Sequence, residues 1–342
     1  LVIDRVLVIG HFFRHAYSAV VKLPWHFSPQ PWPLPDYRIT PAAADGPPLT
    51  VVVIAYRMTH QISNTIRSLL PPVQRDVSID RYDIHVIDNG SPQPLDEPLW
   101  NQAPNVRYQH IPAGSASVNP GVAINRAVAQ TRSPVVCVMI DGARMVTPGV
   151  LRWGMDLATL SEKTVVEVRG WHLGPKLQNV SVREGYDVET EQRLLQSIDW
   201  PWDGYRLFEI GVPAASMPGG FLGTASECTC LFLHRSYFDR LAGYDQRYAE
   251  PGGGLCNADF FVRAASGADR VFTVLGEGTF HQIHGGAATG LTGDDQRESF
   301  RRWKKEYERL SRPWHTKAVE YTPILAGHLP AAARRWMGEE KK

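Results

Sequence analysis

Apolar residues fall along this chain in short unbroken runs separated by amphipathic stretches. LTVVVIAY (49–56), Ile84 to Ile87 within YDIHVIDNGS, VRYQHI (106–111) and Val135 to Ile140 each predict a strand. The last run leaves no polar face for solvent, so it predicts a strand buried on both sides. Between the runs, apolar residues recur at helical spacing. Ile62, Ile66, Leu69 and Leu70 predict a helix that stops at Pro71-Pro72. Val122, Ile124, Ala127 and Val128 predict another, capped by Asn119 and opened by Pro120. Val150, Trp153, Leu157 and Ala158 predict a third, from Pro148 to Leu160. Strands alternating with helices through short connections favour an α/β fold with a mostly parallel sheet and right-handed crossovers.

The flanks read differently. Residues 1–48 begin with a strand candidate, Val2 to Ile9, then run through PWHFSPQPWPLPDYRITPAAADGPP. That density of proline excludes a helix or central strand and predicts an extended leader. Gln192, Leu194, Leu195 and Ile198 predict a helix, followed by an aromatic loop with Trp200, Trp202, Tyr205 and Phe208. Residues 291–342 predict a helical tail, with Phe300, Trp303, Tyr307 and Leu310 on one face and basic residues on the other. A packed amphipathic helix is the expectation; cover for an active site or peripheral contact with an anionic membrane are the functional alternatives.

Composition narrows the class. With 43% hydrophobic and 21% charged residues, the 342-residue chain belongs among globular proteins. Lys+Arg 36 against Asp+Glu 35 gives no global reason to expect nucleic acid as a partner. The apolar start LVIDRVLVIG is broken by Asp4 and Arg5 and is too short to span a bilayer, and no later run reaches spanning length. Cys137, Cys228, Cys230 and Cys256 are few for the length, which predicts a reduced, cytoplasmic setting. Cys228 and Cys230 stand too close for a zinc knuckle and read as strand residues.

Two aspartates sit where strands should end. In open, mostly parallel sheets ligands bind at the carboxyl ends of the strands, so Asp141 is a site candidate by position. The plainer reading of Asp141 is a turn residue ahead of Gly142, and of Asp88 an Asx-turn before Asn89-Gly90.

VVVIAYRM, VIDNGS, NPGVAINRAVAQ and VMIDGARMVTPG, in that order, resemble the nucleotide-sugar half of glycosyltransferase family 2, with its GT-A fold. FLGTASECTCLFLHRSYFDRLAGYDQRYAEPGGGLCNADFFVRA resembles that family's acceptor-side segment, and GEGTFHQIHGG its closing histidine segment. Each motif is weak alone; their order over residues 49–290 carries the resemblance. It implies one GT-A domain over 49–290, with a nucleotide-binding half at 49–160 and an acceptor half at 161–290. It also implies transfer of a sugar, of the hexosyltransferase kind, from a nucleoside diphosphate sugar, preferably uridine-linked, to an acceptor the sequence does not name. Ala55, Tyr56, Arg57 and Asp88 would then surround the nucleoside, with Asp88 accepting from the base edge and Arg57 able to meet a phosphate. Asn125 would face the nucleotide from its helix, a solvated helix residue being the plainer reading. Asp141, Gly142, Ala143 and Arg144 would line the diphosphate, and Trp171, Trp202 and Glu227 the acceptor.

The chain departs from the family twice. The usual Asp-x-Asp, whose later carboxylate holds Mg²⁺ or Mn²⁺, reads Asp141-Gly142-Ala143. A divalent ion could still bind Asp141 with help from His281 or His284, or Arg144 could supply the positive charge directly. In an extended segment those histidines, three apart, point to opposite faces, so one is expected at the site, His281 by motif position. The acidic pair expected at a helix start reads Cys256 and Asn257, neither a carboxylate. Of the remaining acids, Asp259, Glu250 and Glu227, Glu250 in its glycine-rich loop is the better candidate to approach substrate, whereas for Asp259 the helix dipole is sufficient reason to be there. Asn257 also fits a retaining, base-free mechanism, so stereochemistry stays open. The rival reading is a catalytically silent domain that binds a nucleotide, a glycan or a partner.

Overall fold

A computed structural model describes residues 47–285, 293–311 and 321–337 of the chain. The strand expected at Val2–Ile9 and the proline-rich stretch lie outside the described residues.

The elements run β1 (Leu49–Ala55), α1 (Gln61–Ser68), β2 (Tyr82–Asn89), α2 (Glu97–Trp100), β3 (Val106–Ile111), α3 (Pro120–Gln130), β4 (Val135–Met139), β5 (Arg144–Val146) and α4 (Val150–Ala158). They continue with β6 (Thr164–Leu173), α5 (Gln178–Arg183), α6 (Val188–Gln196), β7 (Gly211–Pro213), β8 (Leu231–His234), α7 (Arg235–Arg240), α8 (Cys256–Gly267), β9 (Arg270–His281), α9 (Gly293–Ser311) and β10 (Ile324–Gly327).

The strands form one ten-stranded sheet in the order β10-β9-β6-β8-β4-β1-β2-β3, with β5 added to β9 and β7 to β6. The β4-β1-β2-β3 half is parallel throughout, as the strand-helix alternation predicts. β8 enters antiparallel between β4 and β6, so its first residues lie at the carboxyl edge of β4. Every residue of β1 is buried, because both faces of this central strand are covered. Ile62 and Ile66 of α1 and Leu151 of α4 pack on one face; Ile124 of α3 and Phe260 of α8 pack on the other. Asn119 caps α3 by accepting the Gly121 amide at 2.8 Å, as expected. Two helix faces turn slightly from the reading above: Ala123 is buried where Val122 is half-buried, and Leu151 and Met155 are buried where Trp153 is half-buried.

β6 escapes the hydrophobic pattern. Glu167, Arg169 and His172 interrupt its apolar residues, yet all of β6 is buried. Glu167 is satisfied from distant parts of the chain, by the hydroxyls of Thr273 and Tyr321, and Arg169 donates to the carbonyl of Gly223. Cys228 and Cys230 are not strand residues: they precede β8, in the buried approach to it. All four cysteines are free and buried. Beyond α9, β10 pairs in parallel with β9 and widens the main sheet. In α9, Trp303 and Tyr307 are buried, whereas Phe300 is exposed and lies edge-on to Trp303. Among the described residues no helix is long and apolar enough to cross a membrane.

Candidate functional site

The site is built on the turn after β4. The Gly142 amide donates to the carbonyl of Ile54 at 2.7 Å, and a Cβ at that position would sit 2.6 Å from the same oxygen, so the close approach to β1 requires glycine. Asp141 Oδ1 accepts the Ala143 amide at 3.0 Å, which fixes its carboxylate at the sheet edge. β5 follows and pairs antiparallel with β9, setting Arg144 opposite His281. From there Arg144 Nε reaches Asp141 Oδ2 at 3.3 Å and His281 Nε2 reaches the same oxygen at 2.8 Å.

His284 corrects the expectation that one histidine serves the site. β9 ends at His281, the residues after it belong to no strand, and the His284 side chain reaches the same cluster. Its Nε2 lies 3.5 Å from Asp141 Oδ1 and 3.0 Å from His281 Nε2. Alternation of side chains holds only while the strand lasts.

Electrostatics settle the charges. Burial pushes His281 down to about 4, with Arg144 adding to the effect against the pull of Asp141, so the ring is neutral at pH 7. For Asp141 burial opposes ionisation, but the imidazoles of His281 and His284 outweigh it and hold the carboxyl well below its usual range. His172, the register partner of His281 on β6, is pushed down to about 3, mainly by burial.

Among the described residues, Asp141, His281 and His284 form a group able to hold a metal ion, one ligand atom from each lying within 4.8 Å of the others. The donor set fits. His281 Nε2 stands 3.0 Å from His284 Nε2, and the two rings approach different oxygens of Asp141, Oδ2 at 2.8 Å and Oδ1 at 3.5 Å, so two imidazole nitrogens and a carboxylate converge on one point. His281 turns Nε2 to this cluster, while its Nδ1 is buried with no hydrogen-bond partner.

Asp88 ends β2 on the same edge. Ala55 is its register partner on β1, and Val53 pairs with Met139 on β4, so Asp88 and Asp141 stand two strand spacings apart, roughly 10 Å. The Asp88 carboxylate is fully buried and accepts the Ser91 amide at 3.2 Å and the Tyr108 hydroxyl at 3.0 Å. The turn bond of the plainer reading is therefore present. Just past β1, Arg57 takes a left-handed φ of 54° and donates its amide to Ser91 Oγ, while its guanidinium lies over the exposed ring of Tyr56.

The other candidates are not brought to the Asp141 cluster in the way the sequence suggests. Asn125 spends both ends of its amide on the backbone of Tyr244, at 2.8 and 2.9 Å, which makes it a latch between α3 and the loop after α7. Trp171 has no exposed surface and is packed among Phe208, Phe221 and Phe280, so its ring cannot touch an acceptor. Trp202 is 66% exposed, but its carbonyl is held by Arg75, beyond the end of α1 that lies farther from the histidines. Asp259 pairs with Arg263 at 2.9 Å, and Arg263 in turn holds the carbonyls of Leu241 and Gly243. Glu250 pairs with Arg302 of α9 at 3.2 Å. Asn257 Nδ2 donates to Glu227 Oε2 at 3.3 Å, so these two are brought together. Glu227 precedes β8 and thus lies at the carboxyl edge of β4.

Sequence reasoning missed the residues that shape the histidine turn. Gln282, between the histidines, donates to the Gln61 carbonyl and the Thr65 hydroxyl, both at 3.1 Å, and accepts from Asn64 at 3.0 Å. Glu191 of α6 accepts the Ile283 amide with both oxygens, at 3.0 and 2.8 Å. Burial pushes the Glu191 carboxyl up to about 7. The one available signal was Glu191 itself, an acid amid exposed polar residues at a position facing the core.

No protein-family model matches the sequence, and no curated protein does. Solved structures resemble the fold loosely. S. aureus TarS 1-349 in complex with UDP-GlcNAc is 15% identical, with a TM-score of 0.47 over 77% of this chain and 67% of that one. The structure of S. aureus TarS gives 15% identity and a TM-score of 0.46 over 77% of this chain, which spans only 40% of that chain. The mannosyltransferase PcManGT from Pyrobaculum calidifontis, in complex with GDP-Man and Mn²⁺, is 14% identical, with a TM-score of 0.41 over 67% of this chain and 55% of that one.

Proposed function

We propose that this chain transfers a sugar from a nucleoside diphosphate donor, uridine diphosphate being favoured, to an acceptor hydroxyl. The observation that carries the reading is the convergence of Asp141, His281 and His284 beside Arg144, at the carboxyl edge of a sheet half that is parallel throughout. Asp141, His281 and His284 would hold a divalent cation, and two imidazoles suit Mn²⁺ better than Mg²⁺. Such an ion supplies positive charge against the departing diphosphate. Arg144 adds a fixed cation on the same oxygen of Asp141. In this reading Tyr56 and Arg57, just past β1, would meet the nucleoside, whereas Asp88 has no exposed surface and would serve the same edge through the Ser91 amide and Tyr108 hydroxyl it accepts from. Glu227 is the candidate base: Glu250 and Asp259 are engaged by arginines, whereas Glu227 meets the amide of Asn257. It would take the acceptor proton as the acceptor oxygen attacks the anomeric carbon and the bond to the diphosphate oxygen breaks.

The test is donor hydrolysis. With UDP- and GDP-sugars and Mn²⁺, the wild type should release free nucleoside diphosphate slowly into water, and Asp141→Asn should abolish the release. EDTA should stop it if the ion is required; release that depends on Asp141 but survives EDTA assigns neutralisation to Arg144. Ala143 in place of a carboxylate favours one second reading, a silent binding module. Thermal stabilisation by a nucleotide with no release from any donor would establish that reading and sink the first.

A further inference from the structure

The segment that delivers His284 is not held by its own residues alone. Strand alternation would send His284 away from His281, but β9 stops at His281, and side chains from two separate helices hold the backbone between them. On one side α1 takes the Gln282 side chain through Gln61, Asn64 and Thr65, and the Gln61 amide donates to the Ile283 carbonyl. On the other side α6 takes the Ile283 amide in the carboxylate of Glu191, a residue with 4% exposure that also accepts the Tyr186 hydroxyl at 3.3 Å. Thr65 further ties this clamp to the other half of the site, because its hydroxyl donates to the Gly142 carbonyl at 2.6 Å. Both peptide groups of Ile283 are thus gripped by side chains buried between elements far apart in sequence.

We infer that Glu191 and Gln282 are positioning residues that turn a strand end into a two-histidine chelate, by clamping the Gln282-Ile283 peptide so that His284 joins His281 and Asp141 on one ion. The inference rests on the metal reading of the Asp141 cluster. Neither residue touches the ion; each acts through the backbone that carries His284. Partners of metal-bound histidines commonly affect affinity by about 10–100-fold when lost, and here the loss should equal the loss of His284 itself.

A Co²⁺ titration of the full chain, followed by visible absorption, separates the outcomes. The wild type should bind one Co²⁺ with a ligand-field band, and Asp141→Asn should weaken binding by more than about 100-fold. His284→Ala and Glu191→Ala should each weaken it by about 10–100-fold with the same change in the band, and the double variant should be no more than about twofold worse than His284→Ala alone. Glu191→Gln, which keeps an acceptor for the Ile283 amide, should stay close to wild type. Gln282→Leu, run through the same cycle, gives the answer should Glu191→Ala fail to fold. Wild-type affinity in Glu191→Ala and Gln282→Leu, or full additivity with His284→Ala, overturns the positioning role while the metal reading stands. A wild type that binds no Co²⁺, or binds it as Asp141→Asn does, removes the metal reading and the clamp's purpose together.

Discussion

Arg144 and His281 are register partners across the β5-β9 pair, and both reach the same oxygen of Asp141, from 3.3 and 2.8 Å. A fixed cation and a neutral ligand therefore share one carboxylate. An ion held there would feel the guanidinium as a repulsive neighbour, while a diphosphate would feel it as an attraction.

Arg144→Gln should consequently split two properties. Metal affinity should rise by about 3–10-fold, the scale of a unit charge removed from a partly screened site, while donor hydrolysis falls by at least about tenfold. Calorimetric titration with Mn²⁺ beside the release assay would show it; a parallel fall in both would mean that Arg144 only holds Asp141 in place.

Placing a second carboxylate at position 143 should fail. Ala143 is fully buried in the core that also contains Met139, Val146 and Met58, so Ala143→Asp would bury a charge among apolar side chains. A loss of about 3 kcal/mol or more is expected from urea unfolding, with no gain in metal affinity.

Trp171 was a candidate for the acceptor side and is a core residue. Trp171→Ala should lower stability by about 3–5 kcal/mol through the cavity it leaves among three phenylalanines. Trp171→Phe should recover most of that loss. An acceptor KM that rises in Trp171→Phe at unchanged stability would restore the discarded role.

If Glu227 is the base, Glu227→Gln should reduce transfer by about 10²–10⁴-fold with little change in donor binding, and Glu250→Gln should change it by less than about tenfold. The order of the two effects, measured as kcat once an acceptor is in hand, decides between them.

Glu277 supplies a pH test independent of the site. Its buried carboxyl accepts from Thr147, Gly149 and Tyr205, yet burial pushes it up from 4.5 to about 7. A carboxyl whose folded pKa exceeds its unfolded one holds its proton more tightly in the native state. Its contribution to stability is therefore present below about 4.5 and lost as pH rises through about 7, on the order of 3 kcal/mol in all. The difference in unfolding free energy between wild type and Glu277→Gln should shrink by that amount from pH 4.5 to 8; a difference that stays flat would refute the shift.

The parallel half of the sheet was legible because β1, β2 and β4 are apolar runs ending in polar turns, and α1 and α3 carry their own stop and start signals. Asp141 was legible as a strand end. β6 was not, since Glu167 and Arg169 look like solvent residues until Thr273, Tyr321 and Gly223 are brought to them from far along the chain. The same reason hid the histidine geometry: a spacing of three says which way side chains alternate in a strand, but past the end of that strand the chain is held by Gln61, Thr65 and Glu191. Glu250 looked available in its glycine loop because Arg302, which binds it, lies in a helix 52 residues on.

β9 is fixed laterally by β6, β10 and β5, and its final residue is His281. Neighbouring residues in a strand face opposite ways, so losing Thr279 or Phe280, in the regular stretch from Gly278 to His281, would deliver Gln282 opposite Arg144 and swing the imidazole to the wrong side. The count of residues along this last stretch is thus as much an ingredient of the cluster as the side chain at its tip.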